Sequence, residues 1–421
     1  MKILVVSNLY PPHYRGGYEL GCHDVVRGLQ ARGHRVLVLT STYGVSEPTR
    51  TEGVWRVLDH EIDRAERLPL GPLTRFGQLA RREQRSRAAF LAAVLAFTPD
   101  VVYFWNLANL SITVAFLAES SGTPVCYFVS DPWLANWEQD PWYALWHGTA
   151  PRFRRAAGGR WTRLPLGVLK QLPKMLLPNS PLALRHTQFT SRHLRKSALA
   201  AGKPIGHGKV IHWGIDLQRF PYRERRPPVT RLLYAGQVLP HKGVHTAVEA
   251  LGILVSELGQ TQLTFTIVGG AHWPGYESQL RGLVESLRLS GNVAFAGPRA
   301  RHELTRLYHE HDVLLFPSIW EEPFGITPLE AMACGTVVVG TITGGSAEVF
   351  RHETNALVFP KEDARACARQ LHRLVVDPIL YAALSRNARA MVETRFTLPG
   401  MIDRLEADLE RVARIGTGAL S

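Results

Sequence analysis

The chain has 421 residues, too many for one compact domain and suited to two of ordinary size. Its composition is 45% apolar and 20% charged, that of a globular protein; the net charge of +13 comes with no nucleic-acid-binding motif, so nucleic acid is not an expected partner. Cys22, Cys126, Cys334 and Cys367 are scattered and form no Cys-x-x-Cys pair, which argues against disulfides and zinc and makes a reducing cytoplasm the expected setting.

Met1-Lys2 leads straight into Ile3-Leu4-Val5-Val6, a strand pattern and not a secretory leader, and no apolar run approaches the roughly 18–20 residues that span a bilayer. Strands are expected at 2–7, 34–40, 100–105 and 124–129, and again at 231–236, 263–269, 293–297, 313–317 and 336–341. Helical patterns lie between them, as β-α-β units with parallel sheets require. The predicted fold is therefore α/β, with two Rossmann-like, doubly wound domains at 1–205 and 206–395. Phe396-Thr397-Leu398-Pro399 opens a last helix within 396–421. Such sheets place ligands at the carboxyl ends of their strands.

The densest chemistry follows the apolar run Val313-Leu314-Leu315-Phe316-Pro317. Glu322 and Glu330 stand on either side of Phe324-Gly325-Ile326-Thr327-Pro328, a glycine-bearing turn that opens a helix. Backbone amides at a helix start suit a phosphate, and the carboxylates can accept hydrogen bonds from hydroxyl groups. A sugar nucleotide needs both. Thr327-Pro328-Leu329-Glu330 also reads as a capping box, with Thr327 as N-cap and Glu330 at N3. Spacing alone leaves that alternative open for Glu330, whereas no capping role explains Glu322.

The stretch from Glu322 to Glu330 resembles the E-x7-E signature of retaining GT-B glycosyltransferases of family 4. Ser7-Asn8-Leu9-Tyr10-Pro11-Pro12-His13-Tyr14-Arg15-Gly16-Gly17 is similar to that family's first β-α loop, where a Gly-Gly pair lets the chain approach the donor. Val210-Ile211-His212-Trp213-Gly214-Ile215-Asp216 resembles the entry to its second domain. Gly236-Gln237-Val238-Leu239-Pro240-His241-Lys242-Gly243 resembles its diphosphate loop, and Thr343-Gly344-Gly345-Ser346-Ala347-Glu348 its Gly-Gly-x-x-Glu turn. The likeness runs through the C-terminal half and the first 40 residues.

The resemblance implies a retaining glycosyltransferase that moves a sugar from a nucleotide-diphosphate donor, bound by the second domain, to an acceptor bound by the first. The last helix would cross back onto the first domain. Lys242 would hold the diphosphate, with Gly16, Gly17 and the amides around Gly325, Ile326 and Thr327. Glu322 would bind the sugar's hydroxyls beside Phe324, and Glu330 the ribose. A lysine and helix amides neutralise charge that other transferases assign to a metal, and no Asp-x-Asp motif stands at a strand end, so no metal or other cofactor is expected.

Two departures qualify this expectation. Gln237 stands where the family carries an arginine. Val129-Ser130-Asp131-Pro132 lacks the family's histidine before the aspartate, so Ser130 or Asp131 takes over that contact or the donor differs there; Asp131 is the third catalytic candidate after Glu322 and Lys242. The departures leave room for a weakly catalytic, nucleotide-sugar-binding partner subunit, and a sugar-nucleotide epimerase shares the fold. Residues 141–215 contain thirteen Lys and Arg and no Asp or Glu, and so carry the whole net charge. Arg152, Arg154, Arg155, Arg160, Arg163, Lys170 and Lys174 crowd together after Trp133, Trp137, Trp142 and Trp146. This window fits a peripheral contact with an anionic membrane, a glycan or lipid-linked acceptor bearing anionic groups, or simply a solvated basic face over a Trp-rich core.

Overall fold

The structure, a computed structural model, describes residues 1–60, 72–140, 143, 181–206, 208–271 and 273–418. The chain divides into two units: Met1–Thr190 with Leu194–Ile211 and Ile402–Ser421, and Ser191–His193 with His212–Met401.

The first unit is built on a sheet in the order β3-β4-β2-β1-β5-β6-β7-β8. Its strands are β1 (Lys2–Ser7), β2 (Arg35–Ser41), β3 (Thr49–Thr51), β4 (Val54–Leu58), β5 (Val101–Asn106), β6 (Val125–Val129), β7 (Thr187–Phe189) and β8 (Lys209–Val210). All pair in parallel except β3 with β4. Helices cover such a sheet on both faces, so its central strands are continuous apolar runs. Accordingly Ile3–Val6, Val101–Trp105 and Cys126–Phe128 are sealed from solvent. The four strands expected in this half are all present; β3, β4, β7 and β8 are additions. They are short and partly polar, as in Thr187-Gln188-Phe189, and make strands only because a neighbour supplies a ladder.

The helix α1 (Gly17–Ala31) joins β1 to β2. The C-terminal helix (Leu398–Gly418) packs on it within this unit from Ile402 onward. A methyl on Gly28 would stand 2.2 Å from Ile402 Cδ1, so the Ile402 side chain would have to shift to admit one. Arg32 pairs with Asp403 at 2.5 Å, and Gln188 reaches the buried Asp408 at 2.9 Å.

The second unit carries a wholly parallel sheet in the order β11-β10-β9-β12-β13-β14. These strands are β9 (Arg231–Ala235), β10 (Thr264–Val268), β11 (Val293–Gly297), β12 (Val313–Phe316), β13 (Val337–Thr341) and β14 (Leu357–Phe359). Five of the six were expected; β14 is the addition. In each sheet the order reverses beside the first strand of its unit, between β1 and β5 and between β9 and β12. Crevices that bind ligands open at such points, at the carboxyl ends of the strands.

Candidate active site

At the switch point of the second unit, the loops after β9 and β12 are fastened together. The first makes a short 3-10 turn over Pro240–Lys242 before the helix α5 (Val244–Ser256). The amides of Ile319 and Trp320, in the second loop, donate to the His241 carbonyl at 3.0 and 3.1 Å. Gly243 sits at φ +67°, and a methyl there would lie 2.0 Å from the Pro317 carbonyl oxygen. Only a glycine lets the loops come this close.

That closeness delivers Lys242 to Glu322. The ammonium lies 2.8 and 3.0 Å from the two carboxylate oxygens, and 4.7 Å from the centre of the Trp320 ring. Ser318 Oγ donates to Glu322 Oε1 at 2.5 Å. The Glu322 side chain is 6% exposed and that of Lys242 19%, so the charge pair is largely desolvated yet opens on one side. Gln237 is exposed.

The backbone of Glu322 is fixed from behind by the Gly344–Glu348 turn. The amide of Gly345 donates to the Glu322 carbonyl at 2.6 Å. Methyls on Gly344 and Gly345 would lie 2.3 and 2.2 Å from the Glu322 and Pro323 carbonyl oxygens, which accounts for the glycine pair. Neighbouring Glu321 is structural: it accepts from the Gly344 amide at 2.6 Å and pairs with Lys361, which holds its carboxyl below the usual range.

Beyond this loop, the helix α8 (Ile326–Ala333) begins. Its N-cap is Gly325, left-handed at φ 107°, and not Thr327. The capping-box reading is therefore corrected: helical geometry starts at Ile326, one residue before the box assumes the cap. Glu330 instead has a buried tertiary setting. The Tyr308 hydroxyl donates to Oε2 at 3.0 Å, and the Arg301 guanidinium stands 4.0 Å from Oε1. Burial and the Glu330 carboxylate raise the Tyr308 phenol well above its ordinary value, which keeps it a donor. No acidic residue stands in the first turn of α8, and Glu330 follows just beyond it. Phe324 is buried against the rings of His212 and Phe396.

In the first unit, Gly16 and Gly17 stand at the start of α1, after β1. Glu19 reaches back to the Gly16 amide at 3.0 Å. Gly16 has an extended φ of −157°, and a methyl there would meet nothing closer than Glu19 Oε2 at 3.7 Å. The fold itself does not demand glycine at this position. At the end of β6, Asp131 caps the 3-10 segment Pro132–Gln139, accepting from the Trp133 amide at 3.0 Å and from Asn106 Nδ2 at 2.7 Å. The neighbouring Ser130 hydroxyl is buried with no partner among the described residues.

Burial pushes the Asp131 carboxyl up to about 6, against the lowering effect of those two hydrogen bonds. A folded-state value above the ordinary 3.8 means this group stabilises the fold below pH 4 and loses that contribution as pH rises through 6. The thermal midpoint of Asp131→Asn, relative to the native protein, should accordingly improve between pH 4.5 and 7.5. A difference independent of pH would contradict the assignment.

Of the basic window, residues 141–142 and 144–180, including Arg152 to Lys174, lie outside the described residues. Within the described part, Lys203 pairs with Glu138 and lies 5.0 Å from the Trp137 ring centre, and Lys209 pairs with Asp408 at 2.5 Å. Trp133 and Trp137 belong to the core of the first unit. Among the described residues no helix is long and apolar enough to cross a membrane.

The sequence reading missed Ser318, Trp320, Arg301 and Tyr308. Ser318 and Trp320 flank the quoted motif and could have been included. Arg301 and Tyr308 carry no local signal, because they reach Glu330 only through the packing of separate helices.

Two doubly wound parallel units, each with its crevice at a switch point, define the GT-B class. The solved structure of Anabaena HepE in complex with UDP-glucose superposes with a TM-score of 0.68 over 98% of this chain and 100% of that one, at 21% identity. Sucrose-phosphate synthase from Thermosynechococcus elongatus superposes at 0.70, over 98% of each chain and at 18% identity. In sequence, residues 222–391 match the family Glycosyl transferases group 1 and residues 16–163 the Glycosyl transferase 4-like domain. Glycogen synthase from Mycobacterium tuberculosis is 28% identical over 410 residues, 93% of this chain and 89% of that protein. The D-inositol 3-phosphate glycosyltransferase of Streptomyces bingchenggensis is 31% identical over 193 residues, 42% of each chain. The chain belongs to the group 1 glycosyltransferases, family 4.

Proposed function

We propose that the protein is a retaining, metal-independent hexosyltransferase that takes a sugar from a nucleotide-diphosphate donor. The observation that carries this reading is the Lys242–Glu322 pair, set at the switch point of the second unit beside the N-terminus of α8. Lys242 and the amides of Ile326 and Thr327 stabilise charge as it grows on the departing diphosphate. Glu322 accepts hydrogen bonds from the sugar's hydroxyls near the reacting carbon, and Glu330 from the ribose. Bare backbone at Gly16 and Gly17, where the fold does not require glycine at 16, suits close approach to the diphosphate. Asp131 or Ser130 contacts the sugar or the acceptor hydroxyl. The leaving diphosphate helps remove the acceptor proton, so the new bond forms on the face the nucleotide leaves.

HepE was solved with UDP-glucose, which puts UDP-sugars first, with GDP- and ADP-sugars next. The acceptor is a glycan, a lipid-linked sugar or another anionic molecule, and the basic window would bring the enzyme to the cytoplasmic face of an anionic membrane. The exposed Gln237 favours one second reading, a nucleotide-sugar-binding partner with little turnover of its own.

A thermal-shift panel of UDP-, GDP- and ADP-sugars, with and without EDTA, tests the donor. A donor at 100 times its dissociation constant should add about 2.7 kcal/mol of apparent stability. Release of nucleoside diphosphate that depends on acceptor, with the anomeric configuration retained by NMR, is the expected result. Binding without release would favour the partner reading; loss of activity in EDTA would overturn metal independence.

A further inference from the structure

The chain passes between its two units at residues 190/191, 193/194, 211/212 and 401/402. On the second unit's side, residues at or near these passages converge on the short loop that carries Glu322. Ser191 Oγ donates to the Pro323 carbonyl at 2.6 Å. The His212 ring stacks on Phe324, with centroids 5.6 Å apart and planes 17° from parallel. Phe396 meets both rings edge-on, at 5.9 Å from Phe324 and 5.6 Å from His212.

His212 makes two kinds of contact here. Its face covers Phe324, while its Nε2 lies 2.8 Å from Glu348 Oε2. Glu348 in turn accepts from the amides of Arg192 and His193 at 2.6 and 3.3 Å. It ends the Gly344–Glu348 turn, whose Gly345 amide holds the Glu322 carbonyl. The loop from Pro317 to Gly325 has no sheet or helix ladder of its own, so its course depends on such contacts.

We infer that His212 is a positioning residue for Glu322, setting the donor carboxylate through its stack on Phe324 and its bond to Glu348. This rests on the reading of Glu322 as the sugar-binding carboxylate. A carboxylate that must meet hydroxyls near the reacting carbon tolerates little error, since about 1 Å of misplacement can cost roughly 10²-fold in rate. Phe324 is next but one to Glu322 in the chain, so a tilt of its ring moves the backbone that aims the carboxylate. His212 itself lies where the chain enters the second unit.

Three variants separate the contacts: His212→Phe keeps the stack, His212→Gln keeps a donor for Glu348, and His212→Ala keeps neither. Hydrogen exchange of the full-length protein without ligand reads the loop itself. In His212→Ala, exchange over residues 319–327 should rise about tenfold, while β10 stays at its native rate. The other two variants should lie between His212→Ala and the native protein. With UDP-glucose as donor, His212→Ala should lower kcat by 10- to 100-fold and change KM less than threefold. Unchanged exchange over 319–327, or a rise spread evenly over the second unit, would overturn the inference. If the native protein turns over none of the nucleotide sugars, the proposed function fails, and the exchange result still decides whether His212 orders the loop.

Discussion

Lys242→Ala is expected to lower donor turnover by about 10²–10³-fold, or roughly 2.7–4 kcal/mol of transition-state stabilisation. In the proposed reaction charge grows on the diphosphate as the glycosidic bond breaks, and Lys242, oriented by Glu322 and by the Trp320 face, would meet it as a preorganised cation. Because that interaction strengthens in the transition state, the loss should fall on kcat more than on KM. Removing the ammonium also leaves Glu322 buried without its counter-charge, which lowers stability. The two effects can be told apart. Lys242→Met combined with Glu322→Gln should recover much of the thermal midpoint and none of the activity. Glu322→Gln alone should keep nucleotide affinity and lose discrimination between sugars. Turnover of Lys242→Ala within twofold of native would remove Lys242 from the chemistry.

Gly243→Ala should destabilise the second unit by roughly 2–5 kcal/mol, combining the left-handed backbone penalty with overpacking against a carbonyl. The added methyl would meet the Pro317 carbonyl oxygen at 2.0 Å, and backbone on both sides must shift to relieve it. That shift parts the amides of Ile319 and Trp320 from the His241 carbonyl, and with them Lys242 from Glu322. Donor affinity should therefore fall together with stability. Gly282 is the control: it lies in the helix Tyr276–Ser286, where an added methyl would have no atom within 4 Å, so Gly282→Ala should be neutral or slightly stabilising. Thermal unfolding and donor titration of both variants measure this. Equal midpoints for Gly243→Ala and the native protein would contradict the assigned clash.

Much of the fold was legible because parallel strands buried on both faces must be apolar throughout, and runs such as Ile3–Val6 and Val313–Leu315 satisfy that rule locally. The strands that escaped notice were short or polar, like β3 and β7, and owe their structure to a partner strand. The Gly16-Gly17 and Glu322–Glu330 motifs were legible for a similar reason, since each lies within one stretch of chain at the end of a strand.

Sequence by itself determined the α/β class, the family likeness and the residues able to meet a diphosphate and a sugar, because these depend on local pattern and side-chain chemistry. Tertiary structure alone decided that Lys242 faces Glu322 across 80 residues, that Tyr308 and Arg301 attend Glu330, and that Gly325 caps the helix in place of Thr327. The first follows from how β9 and β12 come to lie side by side and how closely their loops approach at Gly243, the second from the packing of separate helices, and the third from the left-handed backbone at Gly325. Contacts of that kind leave no trace in the spacing of residues along the chain.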